Sequence, residues 1–462
     1  MELNTAFLSQ LASIVGETSL ITSETSTLKL SRDYAWYSPF LKESLASKRA
    51  DAVVKVTSEE ALEQIIATCV AEEVPVTIRG ATTGNYGQCT PFEGGVLIDI
   101  NGLNEIIEIG DGWVEAQAGV RIQTLENAVR KEGWELRSYP STWVRSTLSG
   151  YIGGGSGGIG SVTWGRLQEA GTIKAVDLLT VENPPRKFRL EEEETRKVHH
   201  TYGTNGISTR ITLRLAPKAD WRQIMVTSED WWALMEFAVE MADDKTWNKR
   251  LISVHEWPIP SYFKGLKKWI RSDSHLIFFE IEESQSEAFK ALVAERGLSV
   301  QHEIEPHEPR KAPMYSDFTY NHTTLWALKF DPSYSYMANR FDPTNYKEKM
   351  LAIKEKFPDE LWWHLEILRD YTQDEPIYAC LTIFRYTTPE RFTEMREFMQ
   401  SIGVPTGSAH TPYLDQGMHI HDLDDKLAVK DYADPKGLLN PGKLQNYQPG
   451  SYGNWAPESS KN

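Results

Sequence analysis

The chain has 462 residues, more than one hydrophobic core usually serves, so two domains of roughly 200 residues each are expected. Its 49 Lys and Arg stand against 65 Asp and Glu, a formal net charge of −16 that repels polyanions and argues against nucleic acid as a partner. No apolar run approaches the ~20 residues of a membrane span, and the scattered Cys69, Cys89 and Cys380 fit neither a disulfide framework nor a protein-held iron–sulfur cluster.

The stretch from Met1 to Leu20 carries acidic residues and lacks a basic start with an apolar core, so it does not read as a secretory signal, and a cytoplasmic location is expected. Apolar spacing predicts a short helix over Ala6 to Val15. A strand over Asp51 to Val56 follows, then the capping signal Ser58-Glu59-Glu60 and a helix to about Glu73. Further strands are predicted at Pro75 to Arg79, Gly95 to Ile100, Glu105 to Ile109 and Trp113 to Ala118. A helix from Arg121 to Glu132 is stopped by Gly133, and glycine-rich loops lead to strands at Thr172 to Val181 and Ser208 to Leu215. The basic cluster Arg186, Lys187 and Arg189 is answered by Glu191 to Glu194 and reads as a solvated hairpin or loop.

Between about Asp220 and Asp431 glycine thins out and tryptophan and tyrosine become frequent, which marks a second domain. Strands are predicted at Leu251 to Glu256, His275 to Glu282, Thr324 to Phe330, Leu361 to Leu368 and Tyr378 to Tyr386. Helices at Glu287 to Arg296 and Pro389 to Ser401 suggest a helix-backed antiparallel sheet. The tail from Gln445 reads as a surface strap or a frayed end.

Four segments carry the chemistry. Arg79-Gly80-Ala81-Thr82-Thr83-Gly84-Asn85-Tyr86-Gly87-Gln88 follows a strand and could aim consecutive N–H groups at an anion; a structural turn without ligand is the alternative. Gly150 to Gly160 holds seven glycines in eleven residues, an entropic cost kept only where backbone must come close to something; the interleaved Ile152 and Ile159 and the strand resuming at Thr172 argue against a linker. No Gly-Lys-Ser/Thr ends it, and Gly153-x-Gly155-x-x-Gly158 lacks the βαβ context of a Rossmann fingerprint. The third segment is Tyr202-Gly203-Thr204-Asn205-Gly206-Ile207-Ser208-Thr209, and the fourth Asp434-Pro435-Lys436-Gly437-Leu438-Leu439-Asn440-Pro441-Gly442-Lys443.

In this order the four resemble the signature of the vanillyl-alcohol oxidase and p-cresol methylhydroxylase flavoproteins, notably the branch of glycolate and D-lactate dehydrogenases. The resemblance covers Asp51 to Pro217 and Asp434 to Leu444 and is loose between them. It implies an α+β fold: a split, PCMH-type FAD-binding domain over residues 1–218 and 431–462, with an inserted antiparallel-sheet cap backed by helices over 219–430. It also implies FAD, held through Arg79, Gly80, Ala81, Thr82, Thr83, Gly84, Asn85, Tyr86 and Gln88 in the turn. Pro140, Ser141, Thr142, Thr147, Leu148, Gly150, Tyr151, Gly153, Gly154, Gly157 and Gly158 serve in the second segment, Gly206 and Ile207 in the third, and Asn440 in the fourth. Ala81 and Thr82 depart from the glycines common there, and Asn205-Gly206 from the usual pair. No histidine lies in the turn, so a noncovalent flavin is expected, a bond from a cap residue staying open.

For an alcohol donor a base must take the hydroxyl proton. Gly407-Ser408-Ala409-His410-Thr411 resembles the Gly-Glu-His-Gly segment of the hydroxyacid branch, which makes His410 the favoured base, with a surface histidine as the alternative. Ala409 replaces the glutamate and no His-x-Gly-Asp-Gly-Asn-x-His segment exists, so no metal is expected. His364 and His322 read as hydrogen-bonded core residues, and His419 with His421 as a weak pair. Arg385, followed by Tyr386, and Arg340 are candidates for a substrate carboxylate, structural ion pairs being the alternative. The expected activity is FAD-dependent oxidation of a hydroxyl-bearing small molecule, a 2-hydroxy acid by preference, with the electron acceptor and any homo-oligomer left open. The rivals are an aromatic or sugar alcohol oxidase on the same scaffold and a flavin-binding subunit without turnover.

Overall fold

In the computed structural model, residues 3–167, 171–370, 372–407, 410–416, 422–453 and 455–457 are described. Short apolar runs build the first of three sheets from β1 (Leu20–Ile21), β2 (Ala52–Lys55), β3 (Val76–Arg79) and β4 (Val96–Asp99), ordered β1-β2-β4-β3. β2 and β3 run parallel to β4. The connection between β2 and β3 is the helix Glu59–Ala71, started by the Ser58 side chain, which accepts from the Ala61 N–H. Leu62, Ile65 and Ile66 on its inner face meet Val54, Val76 and Ile98 of the sheet.

The second sheet is antiparallel: β5 (Ile106–Gly110), β6 (Trp113–Gln117), β7 (Trp134–Leu136), β8 (Ile173–Leu179), β9 (Lys187–Glu191) and β10 (Ile207–Pro217), ordered β5-β6-β10-β8-β9 with β7 beside the far end of β10. The basic cluster expected in a solvated hairpin or loop lies in the hairpin of β8 and β9: Arg186 precedes edge strand β9 and pairs with Glu182, and Arg189 within it meets Asp177 and Glu191. The strands predicted from Pro75 to Ala118 are thus divided between two sheets, β4 being the last in chain order of the first and β5 the first of the second. Leu148–Gly154 is a helix despite three glycines. Thr147 supports its start by accepting from the Gly150 N–H.

The third sheet holds β11 (Trp221–Ser228), β12 (Lys249–His255), β13 (His275–Glu282), β14 (Ser299–Ile304), β15 (Tyr334–Phe341), β16 (Leu361–Trp362), β17 (His364–Asp370), β18 (Glu375–Arg385) and β19 (Thr406–Gly407). Its order is β14-β11-β13-β12-β17-β18-β15-β19, all antiparallel, with β16 on β18. Helices Trp231–Asp243, Ser286–Glu295, Tyr346–Lys356 and Pro389–Ser401 cover one face and bury Leu234, Phe289, Ile353 and Met395 there. Thr324 to Phe330, expected as a strand from its β-branched start, lies in the helix Asn321–Phe330, which packs Ala327 inward and stacks Trp326 on Phe318. The strand at that place in the fold is β15.

After the helix Leu423–Ala433 the chain returns to the first sheet, where Leu439 bridges Val76 in parallel and the Asn440 N–H donates to the Val76 carbonyl. The described part of the tail is a strap: the Gly450 and Tyr452 N–H groups and the Tyr447 hydroxyl all donate to Asp431. No helix among the described residues is long and apolar enough to cross a membrane.

The opposite face of the third sheet meets the second sheet across a buried charge cluster. Arg130 (2.6 Å) and Arg250 (3.3 Å) share Glu135, Arg250 also faces Glu126 at 3.7 Å, and Arg310 faces Glu280 at 3.3 Å. The Tyr139 ring lies beneath the guanidinium groups of Arg250 and Arg310. Burial pushes the Glu126 carboxyl above its ordinary range, with the guanidinium groups pulling against it. Removing one member strands charge in a dry site, so Arg250→Met should destabilise the folded chain by about 3–5 kcal/mol, read as a lower denaturation midpoint with excess FAD; the further change Glu126→Gln should recover part of the loss.

Candidate functional site

Between the first two sheets and the glycine segments runs an open cleft. Its walls come from three of the four segments. Gly80, Ala81, Thr82, Thr83, Gly84 and Gln88 line it from the turn after β3, and Thr147, Gly150, Gly153 and Gly154 from the second segment. Gly206 and Ile207 close it together with Val198, Thr201, Tyr202, Gly203 and Ser208. Thr82 adopts φ +56°, a left-handed conformation that glycine takes without strain.

The other expected residues stand behind or beside this lining. Arg79 pairs with Asp99 at 2.9 Å and holds the base of the turn. Asn85 donates to the Tyr336 hydroxyl of β15 at 2.7 Å, and Tyr86 hydrogen-bonds with Tyr336 and Asn321, so the end of the turn abuts the cap. Pro140, Ser141 and Leu148 are buried beneath the lining, and Tyr151 shares a hydrogen bond with Ser138. The hydroxyls of Thr142, Ser146 and Thr83 form a chain at 2.6 and 3.0 Å that ends at the cleft wall. Gly157 lies against Leu368 and Tyr320, and the Gly158 carbonyl accepts from the Tyr320 hydroxyl at 2.7 Å. A Cβ on Gly158 would sit 2.2 Å from the Tyr139 carbonyl oxygen, so this glycine serves close packing. The Asn440 side chain donates to the carbonyls of Gln88 and Tyr202, tying the first segment to the third.

Asp33, also in the lining, carries no motif that sequence reading could find; its Oδ1 accepts from the Ala35 N–H in a local turn. Burial raises its carboxyl to about 6, against the pull of backbone N–H groups and of Lys443. Lys443, buried with its ammonium on the Gly87 carbonyl, is pulled down to about 7 by burial, with Asp33 opposing.

On the cap side, His410 lies outside the cleft lining. Its Nε2 is 3.0 Å from the Tyr336 carbonyl, which can only accept, so Nδ1 accepts from the Ser38 hydroxyl at 2.7 Å. Both ring nitrogens are therefore engaged, and burial pulls the ring down to about 4. Arg385 is exposed at the end of β18 over the Tyr334 ring, Tyr386 packs edge-on against Phe40, and Arg340 is exposed. None of the three lines the cleft. His322 sits in the helix Asn321–Phe330, Ser408 and Ala409 flank His410 outside the described residues, and His419 and His421 also lie outside them.

Backbone donors and absent side chains around the cleft fit a dinucleotide with a diphosphate, and the antiparallel cap over its glycine loops completes a split α+β fold. Residues 50–182 match the family described as FAD binding domain, so this part of the chain is an FAD-binding domain and FAD is the cofactor. Similar sequences include an FAD-linked oxidoreductase of Mycobacterium tuberculosis (26% identical over 214 residues, 45% of each chain). Others are the glycolate oxidase subunit GlcD of Bacillus subtilis (26%, covering 38% of this chain and 39% of that one) and a D-lactate dehydrogenase of Anaerostipes hadrus (26%, 37% of each). Each match spans less than half the length of the relative. In fold, alkyldihydroxyacetonephosphate synthase superposes with a TM-score of 0.72 at 13% identity, over 95% of this chain and 86% of that one.

A Cβ built on Gly154 meets nothing within 4 Å, and alanine favours a helix over glycine by up to ~1 kcal/mol. Gly154→Ala should therefore leave the melting temperature of the FAD-free chain unchanged or higher while weakening FAD binding about tenfold or more, measured by quenching of FAD fluorescence. Asp33 gives a pH signature. Its folded value lies above the unfolded 3.8, so the folded state holds this proton more tightly and loses stability as pH rises from 3.8 to about 6. A diphosphate adds negative charge and favours the same proton, so FAD affinity should fall as pH rises through about 6 and beyond; Asp33→Asn should flatten that dependence in the same fluorescence titration.

Proposed function

We infer that this chain is an FAD-dependent oxidoreductase acting on a hydroxyl-bearing small molecule, a 2-hydroxy acid by preference. The observation that carries the reading is the junction over the second glycine segment, where Leu368 and Tyr320 of the cap close on Gly157 and Gly158. A donor held there would lie between the FAD cleft and a buried wall. Bound FAD would supply a two-electron acceptor. The chain's own residues exclude water from the junction and orient the donor, and they must also receive its hydroxyl proton.

The preference for a 2-hydroxy acid is supported by the glycolate oxidase subunit and the D-lactate dehydrogenase among the similar sequences. A neutral aromatic or sugar alcohol is the second reading, and one observation favours it. Among the described residues Arg340 and Arg385 are exposed and Arg250 and Arg310 face carboxylates, while Tyr320 stands at the junction and Tyr86 hydrogen-bonds with Tyr336 and with Asn321, the residue after Tyr320. His410 then acts as a strut, joining Ser38 to the backbone of β15.

Anaerobic titration of the FAD-loaded chain with hydroxy acids and with aromatic and sugar alcohols tests both readings through bleaching of the flavin absorbance. Bleaching by a hydroxy acid is the expected result. Bleaching by alcohols alone would transfer the assignment to the second reading, and a flavin that no donor bleaches would leave a binding subunit without turnover.

A further inference from the structure

The cap sheet has two unlike faces. Toward its helices β12 and β17 place Ile252, Val254, Leu365 and Ile367, as period-two alternation requires of a packed face. Toward the glycine segments the same strands place Ser253, His255, His364 and Glu366, all buried. The register sets Ser253 opposite Glu366 and His255 opposite His364, so the four form one patch.

Polar groups in a dry interior are costly unless satisfied, and this patch is only half satisfied. Glu366 Oε1 accepts from the Tyr320 N–H at 2.6 Å, the Ser253 hydroxyl at 2.9 Å and His364 Nε2 at 2.8 Å. The Thr323 hydroxyl donates to the Phe318 carbonyl at 2.6 Å, which leaves it to accept from His255 Nε2 at 3.2 Å. Both imidazoles therefore carry their hydrogen on Nε2. Nδ1 of each, and Oε2 of Glu366, find no partner among the described residues. The two rings stack at 4.6 Å, and burial followed by repulsion from His364 holds His255 well below the ordinary histidine range. Of the pair, His364 is the ring with a carboxylate beside it. No group of three or more metal-ligand side chains converges among the described residues.

The patch adjoins the junction over the second glycine segment. Leu368, on the same strand and two residues beyond Glu366, packs at Gly157. Tyr320 links the two directly, its N–H on Glu366 and its hydroxyl on Gly158, and it does so at φ +50°, a strained backbone that the surroundings must hold in place.

We propose that His364 is the base that takes the substrate's hydroxyl proton, with Glu366 as its positioning residue. This rests on the oxidoreductase reading above. The O–H bond of the donor breaks and its proton goes to Nδ1 of His364. The carbinol hydrogen would leave as a hydride, with the electron pair of its C–H bond, to bound FAD as a C=O bond forms, so the alcohol loses the two electrons that the FAD gains. Glu366 keeps the Nε2–H in place and balances the imidazolium, as carboxylates do behind catalytic histidines. The groups facing the ring are Glu366 on its own strand, His255 on β12, and Thr323 and Tyr320 on the segment before and within the helix Asn321–Phe330; no Lys or Arg is among them.

The test is the rate of anaerobic flavin bleaching by the donor identified above, followed from about pH 5 to about pH 9, with bound FAD and circular dichroism recorded for every variant. The wild-type rate should fall on the acid side. His364→Gln should retain FAD and lose ~10²-fold or more in rate, Glu366→Gln should lower the rate and displace the acid limb, and His410→Ala, outside the patch, should stay within about tenfold. Bleaching of His364→Gln at the wild-type rate, or a flat wild-type profile, would overturn the proposal while leaving the oxidoreductase reading intact. If His364→Gln does not retain FAD, an acid limb unmoved in Glu366→Gln overturns it. A wild-type flavin that no donor bleaches overturns both readings together.

Discussion

The cleft between the glycine segments depends on one buried amide. Asn440, arriving from the far end of the chain, gives its side-chain N–H groups to the carbonyls of Gln88 and Tyr202 and its backbone N–H to Val76. Glycine segments make poor walls by themselves, since their conformational freedom must be paid down on folding. They become walls when tied at fixed points, and Asn440 ties two of them. Asp434 supports it by accepting from the N–H groups of Leu438 and Leu439 and from Lys430, whose ammonium also reaches the Leu439 and Thr204 carbonyls. The return of the chain after the cap is thus what makes separate loops into a single cradle.

The cap is organised by a different constraint. A sheet covered on both faces can be apolar on both, and the helix-facing side here is. The other side keeps imidazole, carboxylate and hydroxyl groups next to the place where cap and glycine loops meet. A fold selected only for stability gains nothing from half-satisfied polar atoms, because apolar residues of similar volume would fill the space without the desolvation cost. Their position, more than their identity, is what separates them from the ion pairs that merely hold the molecule together.

Parts of this were legible in the sequence. The four glycine-bearing segments announce themselves by composition, and the strands at Ala52–Lys55, Val76–Arg79, Ile173–Leu179 and His275–Glu282 follow from local apolar runs. Thr324 to Phe330 misled because a β-branched start outweighed a weak helical period, while the deciding contact, Trp326 on Phe318, lies outside the segment. Asp33 was invisible because its importance comes only from the turn folded over it. His364 read as an ordinary core histidine, and its burial agrees with that; what local pattern could not show is the register that brings His255 and Ser253 alongside it. His410 stood out through its neighbours in sequence, yet in space both its nitrogens are spoken for.

The charge cluster at the seam between cap and cofactor domain bears on how such proteins diversify. Arg250, Arg310 and Glu280 belong to the cap, whereas Glu126, Arg130 and Glu135 belong to the other side, and the six are interleaved within one desolvated layer. A recombined chain that inherited its cap from a relative lacking the matching half would bury unbalanced ions along the seam. New donor specificities on this scaffold are therefore easier to reach by altering the inward face of the existing cap than by exchanging the module whole.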